Sequence, residues 1–159
     1  MSKITLSVLD YLRKLVSGTI SDGESTFMRY PTAISKTLKM SIADIGEGKA
    51  TVAIDADASV HGNQQGTVHG GLLAELADAA IGTAHSTLMN EGESFTSIEL
   101  KINFYRPVWN EQLKAVAFPI QSGKTITHYQ CDIIRPDGKV VARATSVVMT
   151  LRGDKAAGR

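Results

Sequence analysis

The residues best suited to chemistry lie in one stretch, His61-Gly62-Asn63-Gln64-Gln65-Gly66-Thr67-Val68-His69-Gly70-Gly71-Leu72-Leu73-Ala74-Glu75-Leu76-Ala77-Asp78. From Gly70-Gly71 onward, Leu72, Leu73, Leu76, Ala80, Ile81, Ala84 and Leu88 recur at helical spacing. The first amides of a helix have no internal acceptor and lie at the positive end of its dipole. Glycine at that point lets a ligand come close to the backbone. The Gly70 N–H, aided by the Asn63 side-chain amide, therefore suits negative charge developing on a carbonyl oxygen, as in an oxyanion hole. Asp78 follows two turns later among Ala77, Ala79, Ala80 and Ile81. A carboxylate in such company is costly to bury without purpose or partner. A structural aspartate, ion-paired or reaching solvent at a helix edge, is the plain alternative, and Glu75 is the rival carboxylate one turn earlier.

Spacing limits how these groups act together. Eight residues at about 1.5 Å rise separate Gly70 from Asp78 by roughly 12 Å along a helix, whereas a base or nucleophile must come within about 3 to 3.5 Å of its target. Asp78 is thus badly placed to serve a carbonyl held at Gly70 of its own chain. Two such helices running antiparallel across a two-fold axis bring Gly70 of one chain towards Asp78 of the other. If both residues act, the chain is at least a dimer with shared sites.

The scaffold around this stretch is written in its periodicities. Ile4, Val8, Leu9, Leu12, Leu15 and Val16 predict an amphipathic helix over 5–17, stopped by Gly18, and 19–35 reads as loop. Leu38, Met40 and Ile42 alternate as a strand does, and so do Val52 and Ile54. Residues 58–69 have no regular period. The helix from Gly70 is apolar nearly all round, which predicts burial on all sides. After Asn90-Glu91-Gly92, strands are expected at Ile98–Phe104, 112–121, 125–134 and 139–150, with a Pro-Gly turn at Arg135-Pro136-Asp137-Gly138. Short connections favour antiparallel pairing. The order predicts an α+β domain, a curved antiparallel sheet wrapped around one long central helix with an extra N-terminal helix: the hotdog architecture. We divide the chain into an N-terminal helix and loop (1–35), the hotdog domain (36–152) and a disordered tail (153–159).

Composition removes other classes. The chain has 159 residues, 43% of them hydrophobic and 21% charged, which fits one globular domain. Net charge is +1 with the basic residues scattered, which argues against nucleic-acid binding. The single cysteine, Cys131, excludes an internal disulfide and fits a cytoplasmic setting and a core position. Asp10, Arg13 and Lys14 interrupt the apolar N-terminus, so no signal peptide or membrane span is expected. His61 and His128 lack companions at metal-binding spacing, so no metal is expected. His85 reads as structural, and Trp109 as a packing or lining residue.

The pattern Asn63, Gly66-Thr67-Val68-His69-Gly70-Gly71, then Asp78 nine residues after the histidine, with Asn103-Phe104-Tyr105-Arg106-Pro107 at a strand end, resembles the hotdog acyl-CoA thioesterases of the phenylacetate-pathway (PaaI) type. The resemblance continues more weakly through Gly123-Lys124-Thr125, spanning 36–150. It implies hydrolysis of an acyl-CoA, aromatic such as phenylacetyl or medium-chain, to acid and CoA without metal or other cofactor. It implies that the Gly70 N–H polarises the thioester carbonyl with Asn63 beside it, and that Asp78 of the partner subunit is base or nucleophile. Ser97 is similar in position to a water-orienting Ser or Thr, and His69 shapes the turn and touches substrate beside Gly71. It also implies a homo-oligomer, a dimer of dimers. Arg106, Lys124 and Arg135 are the candidate contacts to CoA phosphate, followed by Lys139 and Arg143. The fold also carries hydratases and dehydratases, and acyl-CoA-binding proteins without catalysis. Hotdog hydratases pair Asp with a His five residues later, where this chain has Thr83.

Overall fold

The structure, a computed structural model, describes residues 4–157. Its elements run β1 (Ile4–Thr5), α1 (Val8–Ser17), β2 (Glu24–Ser25), α2 (Ala33–Leu38), β3 (Ser41–Gly46), β4 (Lys49–Asp57), α3 (Ala58–His61), α4 (Gly70–Ser86), β5 (Ser94–Phe104), β6 (Asn110–Ser122), β7 (Ile126–Ile134) and β8 (Val140–Leu151). Six strands form one antiparallel sheet in the order β3-β4-β6-β7-β8-β5. The sheet closes over α4, the long central helix of the hotdog fold.

Period-2 alternation explains the inner face. Leu113, Ala115 and Ala117 of β6 and Thr127, Tyr129, Cys131 and Ile133 of β7 are buried towards the helix, with intervening residues turned outward. Leu72, Leu73, Leu76, Ala77, Ala80, Ile81 and Ala84 of α4 meet them, and the many alanines let helix and sheet approach closely. The β7–β8 turn closes where Gly138 takes φ 81° and Arg135 N–H donates to Lys139 O at 3.0 Å.

Five expectations are corrected. The first helix starts at Val8 because the Ser7 hydroxyl accepts the Asp10 N–H at 3.1 Å and caps it there, while Ile4–Thr5 pairs in parallel with Glu24–Ser25. The stretch 19–35 is not all loop: Thr32 caps α2, which runs across the proposed boundary at 36 to Leu38. Leu38 therefore ends a helix, and the strand begins only at Ser41, after Lys39 turns left-handed at φ 56°. Val8 and Leu12 are fully buried, so the N-terminal helix belongs to the core. The fourth concerns α4. It ends at Ser86, short of Leu88, and Ala74, Glu75, Asp78, Ala79, Gly82 and Thr83 keep partial exposure. One face is buried and the other half open. Beyond the sheet, Gly153–Lys155, expected to be disordered, forms a 3-10 turn; Gly158 and Arg159 lie outside the described residues.

Among the described residues strand β5 pairs only with β8, which leaves its other edge unpaired there. A bulge between Ser97 and Glu99 breaks the strict alternation expected from Ile98 to Phe104. The phase shift lets residues on both sides of the bulge face α4: Phe95 packs edge-on to His85, Ser97 meets Asp78, and the Phe104 ring lies over Gly70.

Candidate active site

His69 is the N-cap of α4, and its Nδ1 accepts the Gly71 N–H at 2.8 Å. That bond assigns the ring proton to Nε2. It also occupies the Gly71 amide, whereas no acceptor among the described residues takes the Gly70 N–H. A Cβ on Gly70 would lie 2.9 Å from the outer end of the Phe104 ring, so any side chain there requires that ring to shift. Asn63 lies beside it. Its Oδ1 accepts from Gln65 N–H (2.9 Å) and Thr67 N–H (3.2 Å), and its Nδ2 donates to the Thr67 hydroxyl at 3.1 Å. The Asn63 side chain thus folds the loop that leads into α4, with one amide hydrogen left over. Asn63, Gly70, Phe104, Tyr105 and Arg106 line a cleft of about 450 Å3.

Asp78 lies in a second cleft of about 790 Å3, with Glu75, Ala79, Gly82 and Thr83 on the same face of α4. The Ser97 hydroxyl donates to Asp78 Oδ1 at 3.4 Å, a long bond that leaves Oδ2 unengaged among the described residues. Burial holds the Asp78 carboxyl above the ordinary aspartate range, and the Ser97 bond only partly offsets it. Glu75 is also raised, first by burial and then by the neighbouring Asp78 charge. Two carboxylates one turn apart in a cleft, both held above their ordinary values mainly by burial, mark this face as a candidate site.

The two clefts are separate. Gly70 belongs to one and Asp78 to the other, about two helical turns apart on α4. Within one chain the structure brings together Asp78 with Ser97, and Gly70 with Asn63 and Arg106, but not the two groups with each other. Of the expected phosphate contacts, Arg135 is paired with Asp137 (2.7 Å) and Glu111, and Arg143 grips Asp132 through Nε (2.6 Å) and Nη2 (2.9 Å). Both are committed inside the chain, and Lys139 stands 4.0 Å from Asp137. Arg106 donates to the Val140 carbonyl at 2.6 Å on the rim of the Gly70 cleft, and Lys124 is exposed in the β6–β7 turn.

His85, on the buried face of α4, is a core residue. Its ring nitrogens bond to Tyr129 Oη and Thr150 Oγ1, each at 2.9 Å, and burial lowers its pKa to about 4. Trp109 is exposed, and Cys131 is buried in β7 with its thiol pushed up to about 12 by burial. No cluster of potential metal ligands and no helix long and apolar enough to cross a membrane occurs among the described residues. Sequence reasoning missed the opposite wall of the Asp78 cleft. Phe27, Met28, Arg29, Tyr30, Thr32 and Ile34 form it, from the stretch expected to be loop.

Comparison with known proteins bears on the same segment. Residues 65–142 match the Thioesterase superfamily. A Haemophilus influenzae protein named "Putative esterase" is 32% identical over 120 residues, covering 72% of this chain and 83% of that one. Among solved structures, the E. coli PaaI protein from the phenylacetic acid degradation operon superposes with TM-score 0.70 at 29% identity, covering 77% of this chain and 87% of that one. A Haemophilus influenzae thioesterase superposes with TM-score 0.73 over 95% of this chain and 94% of that one; at 22% identity it supports the fold alone. The matched span holds the His69-Gly70-Gly71 turn, Asp78 and Ser97 together, and the chain belongs to the thioesterase superfamily.

Proposed function

We propose that the protein is an acyl-CoA thioesterase, cytoplasmic and at least dimeric, whose active site is shared between two subunits. The observation that carries this reading is the division of the site. An unengaged amide at the start of α4 and a raised carboxylate two turns later lie too far apart to act on one carbonyl. Two chains pairing along the free edges of β5 would set their α4 helices side by side and antiparallel, with the two-fold near Ala74, the midpoint of the span. Gly71 and Ala74 are small, which permits close approach, and Ile98, Leu100 and Phe104 are exposed apolar residues on that strand. Such a pairing gives two equivalent sites per dimer, each with Gly70 of one chain and Asp78 of the other.

In that site the Gly70 N–H donates to the thioester oxygen as negative charge grows on it, strengthened by the helix dipole. Asp78 either takes a proton from water as the water attacks the carbonyl carbon, or attacks that carbon itself to give a mixed anhydride that water then opens. Both routes need its carboxylate ionised. The C–S bond breaks and the thiolate of CoA leaves and gains a proton. Ser97 orients the carboxylate or the water. Arg106 and Lys124 are the cations free of carboxylate partners that suit the CoA phosphates.

The test is thiol release from a panel of aromatic and aliphatic acyl-CoAs, run on wild type and Asp78→Ala side by side. Activity that the substitution abolishes supports the reaction and the carboxylate. A wild-type protein that binds the panel without releasing thiol would replace this reading with that of a non-catalytic acyl-CoA-binding protein.

A further inference from the structure

The Asp78 cleft has a floor and an opposing wall of different origin. The floor is one face of α4: Asp78 and Gly82 lie four residues apart and share that face, with Glu75, Ala79 and Thr83 beside them and Phe95 of β5 along one side; Ser86, one turn further, is buried. Gly82 leaves the floor open. A Cβ there would meet the Phe95 ring only at 3.8 Å, so neither strain nor close approach demands glycine at this position. In a helix interior glycine costs about 1 kcal/mol relative to alanine. The empty volume above it is the one gain the structure offers in exchange.

The wall is Phe27, Met28, Arg29, Tyr30, Thr32 and Ile34, from the segment that follows β2 and the first turn of α2. It is tied down at both ends. Tyr30 Oη donates to Ser86 Oγ, which itself donates to the Thr83 carbonyl at 2.6 Å, so the ring is fastened to the last turn of α4. Upstream, Glu24 pairs with Lys14 of α1, and downstream the Thr32 hydroxyl caps α2. The chain has only nine aromatic side chains (four Phe, four Tyr, one Trp), and three of them, Phe27, Tyr30 and Phe95, converge on this cleft. The aromatic and aliphatic part of this lining suits an apolar group; Arg29, which also lines the cleft, is exposed, and Glu75 lies beside Asp78 on the floor.

We infer that Phe27–Ile34 is the specificity-determining wall of the acyl site, with Gly82 providing depth and the Tyr30–Ser86 bond closing the far end. The inference rests on Asp78 marking the thioester. From Asp78 to Ser86 is eight residues, about 12 Å along the helix, which limits how far an acyl group can extend before meeting the Tyr30 ring. Met28, with its unbranched side chain, adapts the wall to the shape of the group.

Two substitutions test this in opposite directions. Gly82→Leu fills the floor, and kcat/KM for the longest acyl-CoA that wild type accepts should fall at least tenfold relative to that for acetyl-CoA. Tyr30→Ala opens the end, and the same ratio should rise at least tenfold for acyl groups longer than the wild-type optimum, mainly through KM. Circular dichroism and melting temperature establish that each variant is folded. Should Tyr30→Ala fail to fold, Gly82→Leu and Ile34→Ala decide the question, since neither touches the Ser86 bond. Folded variants with wild-type selectivity across the panel overturn the inference while leaving thioesterase activity standing. A wild type inactive on every thioester removes the activity on which the inference rests, and so removes both.

Discussion

If Gly70 and Asp78 act together only across a two-fold, two inactive proteins should restore each other. The first is Asp78→Ala, which keeps its Gly70 donor. The second is Gly70→Pro, which removes the N–H at the cost of a shift of the Phe104 ring. Proline is favoured at the first position of a helix, and the preceding His69 already has the extended backbone that proline requires (φ −65°, ψ 136°). The added ring atoms displace the Phe104 side chain, which is 54% exposed and free to move. Losing one oxyanion donor costs about a hundred- to a thousandfold in turnover. A heterodimer of the two variants contains one site with both residues intact and one with neither. Random exchange of subunits yields about half heterodimers, so the mixture should recover roughly a quarter of wild-type activity. Thiol release after co-refolding equimolar variants, with light scattering to establish the dimer, reads this directly. Activity no greater than the sum of the parents, in a mixture shown to exchange subunits, would refute the shared site. So would a stable monomer with full activity.

Asp78→Asn keeps the shape but not the charge, and turnover should fall about a hundredfold to ten-thousandfold. Because burial disfavours the ionised carboxyl, the same variant should melt higher than wild type at neutral pH; a lower melting temperature contradicts the burial argument. In wild type the acid limb of kcat/KM should lie above 3.8, the ordinary aspartate value. His85 is held neutral in the fold, with its pKa at about 4 against 6.5 when unfolded. Its contribution is therefore intact above pH 6.5 and lost as pH falls towards 4, about 3 kcal/mol in all. Urea midpoints should drop across that window and drop less in His85→Asn; equal slopes in the two proteins would count against it. Gly62→Ala would set a methyl group 2.1 Å from the Ala58 carbonyl oxygen, which is backbone and can only yield by moving the loop. It should cost about 1–3 kcal/mol, and a variant with an unchanged melting temperature would show that this loop adjusts freely.

The parts of the fold legible in the sequence are those whose signal is local. Alternation gave β6, β7 and β8 to within about two residues, and helical periodicity with His69-Gly70-Gly71 gave the start of α4. Leu38 shows the limit of such signals. It alternates with Met40 and Ile42 as a strand residue would, yet Thr32 caps a helix that reaches it. The bulge beside Ser97 was hidden because one extra residue changes no composition, only the phase of the strand beyond it. Arg143 read as a candidate phosphate contact because pairing across strands leaves no local mark either, whereas Asp137, two residues from Arg135, was a local sign of that pairing. The partner of Arg143, Asp132, lies eleven positions away and becomes a neighbour only through the register of β7 on β8. The wall of the Asp78 cleft was the least legible. Phe27, Tyr30 and Ile34 stand at spacings of three and four, yet they span a non-helical segment and the start of α2, and what brings them together is where α1 and α4 hold them.

The placement of the carboxylate derives from what α4 must do. Its inner face fills the sheet with leucine and alanine, and there even His85 is held largely neutral and saturated by Tyr129 and Thr150. A working carboxylate must sit on the outer face. In a single chain that face is half open, so Asp78 is partly desolvated but not enclosed, and the Gly70 amide is unengaged but out of its reach. Covering the outer face with a segment of the same chain would enclose Asp78 yet leave the distance to Gly70 unchanged, since both are fixed on one rigid helix. Only a second helix laid antiparallel to the first shortens that distance and supplies the burial in the same step. The unpaired edge of β5, flanked by Ile98, Leu100 and Phe104, lies where such a partner would have to attach. If Gly70 and Asp78 serve one carbonyl, as proposed, a helix that is both core and active site makes a second chain a requirement of the chemistry.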